Sequence, residues 1–258
     1  MNKTRVRVLA LRGPGTNCDA EAVFAFEQAG AEAELVHINQ LVRGERDLMD
    51  YQVLVLPGGF LYGDDISAGK VLANELRLKL GEQTSRFIDD GRLILGICNG
   101  FQVMVKAGLL PRLKKGEAQR VTLTNNDSGK FECRWVHLAV NPKSACIFTK
   151  GVERMYVPVA HGEGKLIGDL SAISLANEVV YYTDAQGNRD AGYPWNPNGS
   201  LRDLAGICDD SGRIFALMPH PERHVRGTQH PQWTRLGVKP YGDGFPVFQN
   251  AVKYARGI

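Results

Sequence analysis

Three features predict an α/β fold. Strands alternate with helices through the first half of the chain, glycine-rich turns close the strands, and a run of strands without helices follows Pro111. The expected architecture is a central, mainly parallel sheet flanked by helices, with an added mixed or antiparallel section. Residues 6–11 form a short apolar run closed by Gly13-Pro14-Gly15, a buried strand and its turn. Residues 19–29 have helical spacing and stop at Gly30. Residues 33–38 and 53–56 give the next strands, the latter stopped by Pro57-Gly58-Gly59. Residues 65–88 carry apolar Ile66, Val71, Leu72, Leu76, Leu80 and Phe87 and read as helical, with a break expected near Gly81. Residues 93–97 form a fourth strand, and a helix runs from Asn99-Gly100 to Ala107.

Beyond Pro111, residues 120–124, 131–140, 155–159 and 179–183 read as strands separated by turns such as Asn126-Asp127-Ser128-Gly129. Residues 186–203 read as a loop, 214–218 as a last strand and 245–255 as a terminal helix. With no repeat, low-complexity tract or linker, residues 1–258 are expected to form one domain.

Composition narrows the function. The 258 residues carry 31 Lys+Arg against 28 Asp+Glu, and a net +3 gives no reason to expect nucleic acid or a membrane surface as partner. No apolar run approaches the roughly 20 residues of a membrane span. Five cysteines (Cys18, Cys98, Cys133, Cys146 and Cys208) are scattered without a C-x-x-C pair, so neither a zinc ribbon nor a disulfide framework is suggested. Free thiols and the lack of an export-type leader lead us to expect a cytoplasmic protein.

The sharpest chemical signal is Gly96-Ile97-Cys98-Asn99-Gly100, a cysteine version of the nucleophile elbow between strand and helix. So tight a turn strains the nucleophile's backbone and brings the residues two positions either side into collision, which glycine avoids. It also sets Cys98 at a helix N-terminus, where the dipole favours a thiolate. That bias matters, because an unassisted thiol near pKa ~8.5 is only a few per cent ionised at pH 7. A nucleophile needs a base, and a base needs an orienting carboxylate. Two segments offer that pair. In His220-Pro221-Glu222, residues two apart in an extended stretch would share a side. His161-Gly162-Glu163 has the same spacing, but its glycines suit a mobile loop better than a fixed base. Oxyanion donors are expected from the Asn99 amide and from Gly58 or Gly59. Residues 63–70 miss the P-loop pattern by one residue, and Gly13-Pro14-Gly15 lacks the third glycine of a dinucleotide fingerprint. His220 and His224 lack further ligands, and no metal site is expected.

An elbow cysteine, a Pro-Gly-Gly loop about 40 residues earlier and a late His-Pro-Glu resemble the class I (triad) glutamine amidotransferases, whose fold is flavodoxin-like. More specific segments extend the resemblance along essentially the whole chain. They are Gly13-Pro-Gly-Thr-Asn-Cys-Asp19, Pro57-Gly-Gly-Phe-Leu-Tyr-Gly-Asp64, Gly96-Ile-Cys-Asn-Gly-Phe-Gln102, Ala160-His-Gly-Glu-Gly164, Asn196-Pro-Asn-Gly-Ser200 and Met218-Pro-His-Pro-Glu-Arg223. Together they resemble the glutaminase subunit family of phosphoribosylformylglycinamidine synthase, of purine biosynthesis. The resemblance implies Cys98 as nucleophile, His220 as base, Glu222 as orienting residue, Gln102 as a contact to the substrate glutamine and Gly58 or Gly59 as second oxyanion donor. It implies no cofactor in this chain. ATP and magnesium would belong to a partner synthetase subunit that converts formylglycinamide ribonucleotide, with a third small subunit as a further component of the complex. Residues 225–241 resemble the C-terminal part of the fused, single-chain enzymes. A cysteine peptidase on the same elbow would need no partner and gives no reason for the G-T-N-C-D and N-P-N-G-S segments. A non-catalytic module would be expected to have lost Cys98, His220 or Glu222.

Overall fold

A computed structural model describes residues 5–113 and 117–258. Its strands are β1 (Arg7–Arg12), β2 (Glu32–His37), β3 (Val53–Leu56), β4 (Leu93–Ile97), β5 (Val121–Thr124), β6 (Glu132–Val140), β7 (Arg154–His161), β8 (Lys165–Gly168), β9 (Glu178–Thr183), β10 (Leu204–Cys208) and β11 (Ile214–Leu217). The helices are α1 (Asp19–Gln28), α2 (Ile38–Val42), α3 (Lys70–Lys79), α4 (Gly81–Asp89), α5 (Asn99–Lys106), α6 (Trp233–Leu236) and α7 (Phe245–Ala255).

A nine-stranded sheet has the order β2-β1-β3-β4-β11-β10-β9-β6-β7. From β2 to β11 every pairing is parallel; from β11 to β7 every pairing is antiparallel. The parallel half is the expected core. Its central strands β3 and β4 are buried along their whole length, as strands covered on both faces must be. Parallel crossovers are right-handed in nearly all folds, which places α1 on one face of this strand order and α3 with α4 on the other. On the first face α1 packs against α7 through Phe26 and Phe248, edge-to-face with ring centroids 5.1 Å apart.

Several expectations need correction. The helix expected from residue 65 begins at Lys70, because Gly69 before it is left-handed (φ 74°) and Ile66 and Asp64 also have positive φ. The break near Gly81 is real, since α4 starts there. Strands β8 and β10 were not anticipated. β8 pairs with β5 in a small two-stranded sheet, and β10 carries register shifts against β9. No helix among the described residues is long and apolar enough to cross a membrane.

What positions the site is the curl of the antiparallel half. β7 stands at the far edge of the sheet, yet Pro158 in it accepts a hydrogen bond from the His220 amide, 2.8 Å away and just beyond β11. The sheet bends round until its last strand reaches the carboxyl ends of the parallel strands.

Candidate active site

Four neighbouring parallel strands, β1, β3, β4 and β11, release their chains at the same edge. The loops that follow contain Cys18, Gly58, Cys98 and His220 in turn. This is the crevice where open α/β sheets bind ligands. Cys98 lies between β4 and α5 with φ 52° and ψ −106°, the strained geometry of a nucleophile elbow. The flanking glycines are needed for the expected reason. A Cβ on Gly100 would lie 1.9 Å from the Leu56 carbonyl oxygen, and one on Gly96 would lie 2.4 Å from Met104 Sδ and 3.0 Å from the Gly100 backbone. Cys98 is anchored by its amide, which donates to the Leu217 carbonyl at 2.8 Å, and its Sγ lies 3.6 Å from the Ala160 carbonyl oxygen.

His220 and Glu222 meet through Nδ1 and Oε1 at 2.6 Å. The backbone is not the extended stretch expected from spacing. Pro221–Arg223 is a 3₁₀ turn started by proline, and the turn brings the carboxylate back onto the ring. Both residues are buried, and His220 Nε2 and Glu222 Oε2 have no hydrogen-bond partner among the described residues. Burial opposes charge on His220. The adjacent Glu222 carboxylate, reinforced by Cys98, outweighs it and holds the imidazole pKa well above the ordinary histidine value.

A second thiol shares this centre. Cys18, at the head of α1, offers a sulfur within 4.8 Å of the donor atoms of His220 and Glu222. Arg223 Nη2 donates to it at 3.0 Å, and it contacts Asn17 Oδ1 at 3.1 Å. Thiol, imidazole and carboxylate are zinc-type ligands. The Arg223 guanidinium, however, sets a positive charge on the sulfur that would have to bind the cation. Burial is the main influence on Cys18 and raises its thiol pKa. Gly58 is the wedge between these groups. A Cβ there would lie 2.9 Å from His220 Cε1, 3.1 Å from Cys18 Sγ and 3.4 Å from Cys98 Cβ.

The rival His161-Gly162-Glu163 also reaches the site, but differently. His161 Nδ1–H donates to Asn126 Oδ1 (3.1 Å), and Glu163 turns away to the Ala68 amide and Lys106. Burial, then the charge on His220, pushes the His161 pKa down to about 3, so this ring is neutral at physiological pH. The loop is clamped instead of free. Asn126 also takes the Gly164 amide and donates to the His161 carbonyl, while Asn198 donates to the Gly164 carbonyl and to Tyr182 Oη. Gly164 is required because a Cβ would fall 2.3 Å from His161 Cε1.

The CobB/CobQ-like glutamine amidotransferase domain family matches residues 5–255. Phosphoribosylformylglycinamidine synthase subunit PurQ of Dehalococcoides mccartyi is 59% identical, over 99% of this chain and 100% of its own length. The chain belongs to the PurQ family. PurQ of Methanococcus maripaludis is 43% identical, over 98% of this chain and 99% of its own. A solved relative, the Thermotoga maritima PurLQS structure, superposes with a TM-score of 0.75 at 34% identity, covering 97% of this chain and 99% of that one.

In this PurQ-family chain the anticipated residues converge, apart from one qualification. Asn99 heads α5, where first-turn amides have no intrahelical acceptor. Its side chain donates to Asp64 Oδ1 (3.1 Å) and Gln102 Oε1 (2.7 Å). Gln102 is buried and already bonded at both ends, its amide donating to the Glu163 carbonyl. To contact a substrate it would have to exchange one of these partners. Gly59, with φ 152°, bridges to Thr16 and ties the Pro-Gly-Gly loop to the first loop. Sequence reasoning overlooked Cys18 and Arg223 as parts of the centre. The available signal was the position of Cys18 after the first strand of a parallel sheet, which sends it to the same edge as Cys98.

Proposed function

We propose that Cys98, His220 and Glu222 act as nucleophile, base and orienting carboxylate of a glutaminase that supplies ammonia to a synthetase subunit making formylglycinamidine ribonucleotide in purine biosynthesis. The observation that carries the assignment is the strained, positive-φ cysteine at a strand–helix junction, opposite a histidine already bonded to a buried glutamate. Protonated His220 is matched to a Cys98 thiolate, which attacks the amide carbon of glutamine. The oxyanion is received by the Asn99 amide and by Gly58 or Gly59. His220 gives its proton to the departing ammonia, then takes one from the water that hydrolyses the glutamyl thioester. In this reading ATP and magnesium serve on the synthetase subunit, and the described residues form one catalytic domain.

Cys18 is the competing thiol. Its backbone is ordinary (φ −101°), and its sulfur is occupied by Arg223 and Asn17. Steady-state ammonia release from glutamine by Cys98→Ala and Cys18→Ala separates the two. Cys98→Ala should lose about 10⁴-fold or more, while the synthetase still works with ammonium. Full activity in Cys98→Ala would overturn the assignment.

A further inference from the structure

Cys18 has no role in that mechanism, although it is 2% exposed and pressed against the residues that carry it. Its Sγ and the Cβ of Cys98 flank the same point, the side-chain position that Gly58 leaves empty, and His220 Cε1 closes the third side. Neither cysteine is in a disulfide. His220 Nε2 is buried at this centre with no hydrogen-bond partner among the described residues, while Nδ1 is committed to Glu222. Two thiols and an uncommitted ring nitrogen therefore share a pocket from which Gly58 removes the obstruction.

We infer that Cys18 is a resolving thiol for the nucleophile: when a peroxide oxidises Cys98, Cys18 captures it as a reversible disulfide. The inference rests on Cys98 being the nucleophile. In the first step the Cys98 sulfur attacks one oxygen of hydrogen peroxide. The S–O bond forms, the O–O bond breaks, and the sulfur loses two electrons to become a sulfenic acid. His220 gives its proton to the departing hydroxide, which leaves as water. In the second step Cys18 attacks the oxidised sulfur, so the S–S bond forms as the S–O bond breaks. The Cys18 proton passes to His220 Nε2 and on to the leaving hydroxide. Two thiols and one peroxide give one disulfide and two waters. Arg223, 3.0 Å from the Cys18 sulfur, stabilises the negative charge that grows there during attack. Glutamine hydrolysis stops, and the nucleophile is kept from the irreversible sulfinic state.

The test uses the full chain treated with hydrogen peroxide, then mapped by non-reducing peptide mass spectrometry. Mapping is essential because Cys146 and Cys208 also lie close enough to interact and Cys133 is exposed. A peptide cross-linked between Cys18 and Cys98 is expected, with ammonia release falling at least ~10-fold and recovering with dithiothreitol. In Cys18→Ala and Cys18→Ser, each compared with its own untreated rate, the loss should not be reversed, and Cys98 should carry sulfinic acid. Cys98 oxidised without a link to Cys18, or full dithiothreitol recovery in both variants, would overturn the inference. Failure of the nucleophile assignment is recognised separately, as activity in Cys98→Ala before any oxidant is added.

Discussion

Two buried histidines at one centre are tuned in opposite directions. His220 is driven toward its charged form by Glu222, whereas His161, bonded to a neutral amide and close to that positive charge, is driven toward its neutral form. The second shift makes a stability prediction. Unfolded, His161 binds a proton below about pH 6.5; folded, it does so only below about 3. Between these values the unfolded chain holds the extra proton, so stability falls as pH falls, by up to about 1.4 kcal/mol per unit. Urea unfolding of wild type and His161→Asn at pH 7 and pH 5 checks this. Wild type should lose roughly 2 kcal/mol more than the variant between the two pH values. Equal losses would mean that His161 is not held neutral in the fold.

At the scale of elements, glycine decides how closely backbone approaches backbone. α5 can sit on β3 only because Gly100 has no side chain, its Cβ position lying 1.9 Å from a backbone oxygen that cannot move cheaply. Gly100→Ala should therefore destabilise the protein by about 3 kcal/mol or more, visible as a drop in thermal midpoint. Gly58→Ala tests something different. The added methyl would push on His220, Cys18 and Cys98, which are side chains and not backbone. A smaller stability loss is expected, with kcat for glutamine hydrolysis reduced about 10²-fold. If Gly58→Ala lowered stability as much as Gly100→Ala and spared kcat, the wedge would be structural only.

At the scale of the whole molecule, one sheet performs two tasks. Its parallel half aligns the loops after β1, β3, β4 and β11, and its antiparallel half curls to bring Ala160 and Pro158 against Cys98 and His220. The loop at the end of β7 is clamped by Asn126 and Asn198 from two other segments, so the site is assembled across much of the chain. Release of ammonia without a synthetase would waste glutamine, and Gln102 is already bonded at both ends. The isolated chain should therefore be a poor glutaminase that its synthetase stimulates. Ammonia release measured alone and in the complex checks this, and equal rates would remove the gating idea.

The strands of the parallel core and the elbow at Cys98 were legible from the sequence, because each depends on near neighbours, whereas His220 with Glu222 was preferred through the family resemblance. Apolar runs ending in glycine mark buried strands, and the elbow is a local steric requirement written in Gly96 and Gly100. Strand β10 escaped notice because Leu-Ala-Gly-Ile-Cys is short and carries no periodicity. His161 could not be separated from His220 by spacing alone. What sets His161 apart is its bond to Asn126 and the turning of Glu163 to the Ala68 amide, which are contacts between segments distant in sequence. Only the tertiary structure brought Cys18 to the nucleophile. The sequence determines which residues can do chemistry and which turns they occupy; strand order and sheet curl decide which of them meet, because those depend on pairing across the whole fold.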